Sequence, residues 1–300
     1  MSFALKRVSI KVKFLLLVSF ALLLVFSGTG YLVTNMVLAN NTVAAEKYME
    51  SLSLAYANRA ASILDEPLDA AKTLAQIISE HNYEDGEHLR DAYLGSLKAV
   101  TRKNPNYMNV WVVWGPGGLD SVDPAFANRL DLGSNEQGIM SVKLSNIGGQ
   151  LNVEIMDSAA VAKNEVVRSV LASKRDYVSE PVASESAELG SALKLSVGTP
   201  IIQGGKVLGV VGIDIPSGML QEQLGSARLY EEGFGRLISA DGLVTVLRFA
   251  ERVGRVAPEW KDENTPALLA SLEAGEIFTD EYISLATGEI TVKSFVPIFI

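Results

Sequence analysis

An α+β fold hung on an apolar N-terminal helix is predicted by three features of the chain. Twenty-five residues from Phe14 to Leu38 carry no charge. Apolar residues then recur at spacings of three and four as far as Val100, the mark of one-sided helices. From Tyr107 onward, β-branched and aromatic runs alternate with Gly-rich turns, as in antiparallel strands.

A helix of 25 residues rises about 37 Å, enough to cross a hydrocarbon core of about 30 Å. Lys6, Arg7, Lys11 and Lys13 precede this segment, and no acidic residue occurs before Glu46. The positive-inside rule therefore puts residues 1–13 in the cytoplasm, a transmembrane helix at 14–38 and the remainder outside, with the inner (plasma) membrane as the expected location. A cleaved signal peptide has a shorter apolar region, so an uncleaved anchor is expected.

The 300 residues hold 26 basic and 35 acidic side chains. Without the four N-terminal basic residues the balance is −13, which argues against nucleic acid as a partner. There is no cysteine, and the only histidines are His81 and His88, to which no role is assigned. Disulfides and thiolate metal sites are excluded and no cofactor is expected.

Residues 41–80 are expected to form one long stalk helix. Leu52, Tyr56, Ala60, Ile63, Pro67, Ala71, Leu74 and Ile78 line one face. After a polar break at 81–86, a second helix carries Leu89, Tyr93, Leu97 and Val100 and ends near Lys103. Tyr107–Trp114 is a strand, with Val110, Val112 and Trp114 on one face and Trp111 and Val113 on the other. A loop with Asp120 and Asp123 follows. A Trp at a strand end is either core or the wall of a pocket for a cationic group, and the residues leave both open. Strands at 139–146 and 150–155, a helix at 164–172 and a strand at 177–182 come next.

Ala192–Pro216 then reads as a hairpin turning at Gly204-Gly205. A tight turn sets Gln203 against Lys206. It also sets Thr199 against Val210, Val197 against Gly212 and Leu195 against Asp214, so these six share a face. Gly212 leaves a gap beside Asp214. The carboxylate either holds an amine there or caps the turn that follows. A smaller unit follows a helix at 217–226. It comprises a hairpin at 235–247, a helix at 265–273 with Thr265 as N-cap, and a hairpin at 277–300. The final strand is expected to be an unpaired edge at 295–300 and the sequence to be truncated.

In this order the residues resemble the extracellular double Cache sensor of bacterial methyl-accepting chemotaxis proteins. The resemblance rests on the basic N-terminus with its anchor, the stalk helix and VWVVWGPGGLDSVD at 110–123. It rests also on Glu180-Pro181 and on Thr199-Pro200-Ile201 leading into GKVLGVVGIDI. It implies a membrane-distal PAS-like ligand-binding module at 39–228 and a proximal module at 229–300. The Arg-x-Trp-Tyr signature of amino-acid-binding members is absent around 138–144, with Lys143 as the only candidate to replace its Arg. The Tyr-x-Asp that often follows Glu-Pro is Val182-Ala183-Ser184 here, and only Asp214 survives of that pattern.

The expected pocket is lined by Trp111, Trp114, Asp120, Asp123, Lys143, Glu180, Thr199 and Asp214. Its acidic members outnumber the basic one, so an amine or amino-acid-like small molecule is the expected ligand. The expected assembly is a membrane-anchored homodimer whose stalk helices form the interface. No Ser-His-Asp pattern, P-loop or metal cluster suggests a catalytic ectodomain, so the chain is expected not to be an enzyme. The same sensor fused to a histidine kinase or diguanylate cyclase is the alternative. A sensor that responds to a partner protein is a third possibility.

Overall fold

The computed structural model describes residues 9–80, 86–120, 122–183, 193–226, 228–229, 233–249, 252–284 and 288–300. Lys6, Arg7, His81, most of the polar break, Ser184 and the turn residues Ala286 and Thr287 lie outside them.

Helix α1 spans Ile10–Glu80 and continues through Pro67. The chain divides into two units, Met1–Leu52 and Ser53–Ile300. In the first, the helix has a mean hydropathy of 2.3 over its most apolar window, long and apolar enough to cross a membrane. Its apolar side chains, among them Phe14, Leu17, Leu23, Phe26 and Leu32, are exposed. Apolar side chains with nothing to bury against suit a lipid environment.

In the second unit the expected stripe is buried from Ala60 through Ile63, Pro67, Ala71, Leu74 and Ile78. It packs with Leu89, Tyr93, Leu94 and Leu97 of α2 (Gly86–Lys103) in the main hydrophobic core. The sheet strands are β1 (Asn109–Trp114), β2 (Ser141–Ile147), β3 (Gln150–Ile155), β4 (Tyr177–Val178), β5 (Val182–Ala183), β6 (Leu193–Gln203) and β7 (Lys206–Pro216). They lie in the order β3-β2-β1-β7-β6-β4, with β5 also on β6. All pairs are antiparallel. Among the described residues the sheet has seven strands, one more than the six runs read from the sequence, because the 177–182 run is broken at Glu180-Pro181 into two short pieces.

Alternation sorts β1 as expected. Val110, Val112 and Trp114 face the α1/α2 core, and Trp111 and Val113 the opposite face. That opposite face is covered by α4 (Glu165–Ser173), capped by Asn164 and preceded by α3 (Ser158–Lys163). Val166, Val167 and Val170 of α4 pack with Trp111, Val113 and Val210.

The β6–β7 register departs from expectation by one residue. The Gly204-Gly205 turn forms, with both glycines at positive φ and Gln203 opposite Lys206. A bulge opposite Ile201 and Ile202 then leaves Leu208 of β7 as an extra residue, since Ile202 pairs with Val207 and Ile201 with Gly209. Thr199 pairs with Val211, Val197 with Ile213 and Leu195 with Ile215, while Ser196 meets Asp214. A one-residue slip exchanges faces. Leu195 and Val197 therefore join the α1/α2 core, and Asp214 lies on the α4 side with Gly212.

Beyond α5 (Ser217–Leu224) come β8 (Arg228–Leu229), β9 (Gly233–Phe234), β10 (Arg236–Ile238), β11 (Val244–Leu247), α6 (Thr265–Glu273), β12 (Phe278–Ile283) and β13 (Ile290–Phe295). These strands pair as β8-β9, β10-β11 and β12-β13. Val246 nonetheless belongs to the main core. Thr265 is the first helical residue of α6 rather than its cap: its hydroxyl donates to the carbonyls of Glu259 and Asp262.

Candidate functional site

The site grows from one row of residues across the α4 side of the sheet. Glu154, Lys143, Trp111, Gly212, Gly198 and Tyr177 are successive cross-strand partners on β3, β2, β1, β7, β6 and β4. The two glycines set its depth. A Cβ on Gly198 would lie 2.3 Å from Val166 Cγ1, so α4 seats on bare backbone there. A Cβ on Gly212 would lie 2.0 Å from Trp111 Cζ2, so the gap foreseen beside Asp214 is filled by the Trp111 indole.

Asp214 lies one row along and is 3% exposed. Trp111 Nε1 donates to its Oδ1 at 3.0 Å, and Asn109 Nδ2 donates to its Oδ2 at 2.8 Å. Lys194 Nζ donates to the same Oδ2 at 3.3 Å. A buried carboxylate needs such partners, since an unpaired one is costly. Two of these donors are neutral, so among the described residues only Lys194 balances the charge. The Lys194 side chain is 29% exposed against 4% for Asp214, which puts the ammonium at the open edge of the cluster.

Lys143 shares this face but is paired across the strands with Glu154 at 2.8 Å, both partly exposed. Glu180 Oε1 accepts from the Asp241 backbone N–H at 3.2 Å. Its Oε2 is buried without a partner among the described residues. Tyr177 donates its hydroxyl to Glu165 Oε1 at 2.7 Å. That bond raises the Tyr177 phenol above its ordinary range, and burial adds to it.

The other four expected residues lie elsewhere. Trp114 is in the α1/α2 core, stacked on Tyr93 at 5.9 Å between ring centroids. It sits three positions after Trp111 on an alternating strand, and an odd offset means the opposite face. Asp120 and Asp123 do not line a pocket with Asp214; they grip the fully buried Arg90 of α2. Arg90 also donates to Ser134 Oγ and the Gly138 carbonyl and lies 4.0 Å over the Phe126 ring. The carboxylate pair thus anchors its loop to α2 through the guanidinium fork. Thr199 faces the α1 side because of the bulge and donates to Asp176 Oδ1 at 2.7 Å. Asp176 pairs in turn with Lys72 of α1 at 3.0 Å, beside a cleft that Lys174, Pro200 and Ile202 also line.

Three residues were missed from sequence. Asn109 lies two before Trp111, on the same strand face, and alternation alone points to it. Lys194 is concealed by the bulge, which moves the even-numbered residues of β6 onto the face of Asp214. Nothing local marks Arg90, whose side-chain partners other than the Gly86 carbonyl lie at least 30 residues away.

No protein-family model matches the chain. The methyl-accepting chemotaxis protein TlpQ of Pseudomonas aeruginosa is 27% identical over 213 residues. That match covers 66% of this chain and 30% of TlpQ, so the chain spans less than a third of that relative's length. Among solved structures, the extracellular domain of the histidine kinase mmHK1S-Z2 superposes with a TM-score of 0.73 at 19% identity, covering 85% of this chain and 93% of its own. The ligand-binding domain of the Pseudomonas aeruginosa PAO1 amino-acid chemoreceptor PctC, in complex with GABA, gives a TM-score of 0.53 at 16% identity, covering 82% and 90%. The fold is that of the extracellular Cache-type sensor domains, and the chain resembles the double Cache sensor region of a methyl-accepting chemotaxis protein.

Proposed function

We propose that this chain is the ligand-sensing region of a transmembrane chemoreceptor and that it holds a small amine-containing molecule at Asp214. One observation carries the proposal. Asp214 is a buried carboxylate whose one cationic partner among the described residues is Lys194 at the open edge, the other two donors being neutral. Trp111, Lys143 and Glu180 lie in the same part of the fold or border it. Trp114, Asp120, Asp123 and Thr199 are left out of the proposed site, since each has a partner elsewhere. PctC bound to GABA, an amine, supports the reading by likeness of fold.

In this proposal residues 39–228 form the distal, binding module and 229–300 the proximal one. Among the described residues β8 to β13 pair with one another and not with the seven-stranded sheet, which supports that division. The receptor sits in the inner membrane through residues 14–38 and works as a homodimer through its stalk helices. Ligand shifts the population between two packings of α1, which runs unbroken from Ile10 to Glu80.

The test is a thermal-shift and calorimetric screen of the full chain in detergent against amines, amino acids and small carboxylates. A ligand that prefers the folded state raises its melting point by mass action. Asp214→Asn keeps the fold and loses about 1.5–3 kcal/mol of amine affinity, the worth of a charge-assisted hydrogen bond. Hits confined to carboxylates, bound equally by the Asn variant, would sink the reading.

The mmHK1S-Z2 likeness favours one second reading, the same sensor preceding a histidine kinase. Histidine autophosphorylation of the full-length gene product, set against its methylation in cells, separates the two.

A further inference from the structure

We infer that Lys194 is a tethered competitor at the proposed site: its ammonium occupies the seat that a ligand amine takes on Asp214. The inference rests on the amine reading above and goes beyond it by naming what the ligand must displace. Of the three side-chain donors on Asp214 among the described residues, Asn109 at 2.8 Å and Trp111 at 3.0 Å are the shorter, and Lys194 at 3.3 Å is the longest. Trp111 is 2% exposed and wedged on Gly212, so it cannot withdraw without opening the core. The Lys194 side chain is 29% exposed and swings on four bonds, so it can leave for water.

The exchange is close to neutral in charge. One ammonium leaves Oδ2 as another arrives, and the buried carboxylate is never left unpaired, which is the costly state. The arrangement has a consequence for selectivity. A neutral molecule of similar shape gains nothing at Asp214, because it would have to evict Lys194 without replacing its charge. Apparent affinity is scaled down by the fraction of time that the seat is free. Lys194 thereby sets the threshold concentration of the sensor.

Three matched four-carbon probes test this by calorimetry on the full chain: GABA, 1-butylamine and butyrate. Lys194→Gln is expected to tighten both amine-bearing probes by about tenfold, if the tether fills the seat about nine-tenths of the time. Arg168→Gln, removing an exposed charge on α4, is the control for a general change in field and is expected to move neither. Equal tightening by Arg168→Gln would overturn the tether. So would a Lys194→Gln variant that loses GABA and keeps 1-butylamine, for Lys194 would then grip a ligand carboxylate; the amine reading would survive. If butyrate alone binds, or Asp214→Asn binds the amines as well as the parent chain, the amine reading fails and the tether fails with it. Absence of binding by all three probes to every variant has the same meaning.

Discussion

The indole of Trp111 lies directly over Gly212, so close that a Cβ there would approach Cζ2 to 2.0 Å. This contact aims Nε1 at Asp214 and closes the space beside the carboxylate. Gly212→Ala is therefore expected to cost about 1–3 kcal/mol, the usual penalty for overpacking a core. Urea denaturation followed by tryptophan fluorescence measures it. An alanine variant as stable as the parent would mean that the ring moves freely.

Arg90 is expected to be the most sensitive charged residue of the second unit. It is fully buried, and Arg90→Met strands Asp120 and Asp123 without their counter-charge. Breaking a buried pair from one side costs about 3–5 kcal/mol. Arg90→Lys should recover little, because an ammonium cannot reach Asp120, Asp123, Ser134 and Gly138 together. Thermal melts of both variants decide; full rescue by lysine would contradict the fork geometry.

Acid is expected to loosen the C-terminal region through Glu259, which is 1% exposed. Burial pushes its carboxyl up, but hydrogen bonds and charge from Arg236 and Lys293 outweigh this and hold it below the ordinary 4.5. A lowered folded-state pKa gives stability that is present above the unfolded value and lost as pH falls through the folded one. Glu259→Gln should therefore be less stable than the parent at pH 7 by about 1–3 kcal/mol, the cost of losing charged hydrogen bonds. The difference should shrink steadily below pH 4.5. Denaturation of both proteins across that range checks the sign.

The anchor and the dimer can be tested together, since the chain lacks cysteine. Leu54 is 45% exposed on α1. In membranes, Leu54→Cys is expected to form an intermolecular disulfide under mild oxidation. A reporter fused at residue 200 should be active outside the cell. Cytoplasmic activity of that reporter would overturn the orientation.

Local patterns carried most of the fold. The α1 stripe, the two faces of β1, the Gly204-Gly205 turn and the extent of α6 follow from spacing and turn chemistry. The site was read less well for two physical reasons. The bulge at Ile201/Ile202 leaves no composition signal, yet it reverses the faces of Thr199 and Lys194 relative to Asp214. Asp120 and Asp123 have a pocket-like setting in sequence, and only tertiary contact reveals that Arg90 consumes them. Trp111, Lys143 and Asp214 share a face through the pairing of β1 with β2 and β7, a strand order that alternation along single strands does not give.

Asp176 and Tyr177 are joined by one peptide bond and serve opposite sides of the sheet. Tyr177 holds Glu165 at the start of α4, while Asp176 holds Lys72 of the long helix and Thr199 of β6. The covering helix and the long helix are thereby tied to adjacent backbone positions at one edge of the sheet.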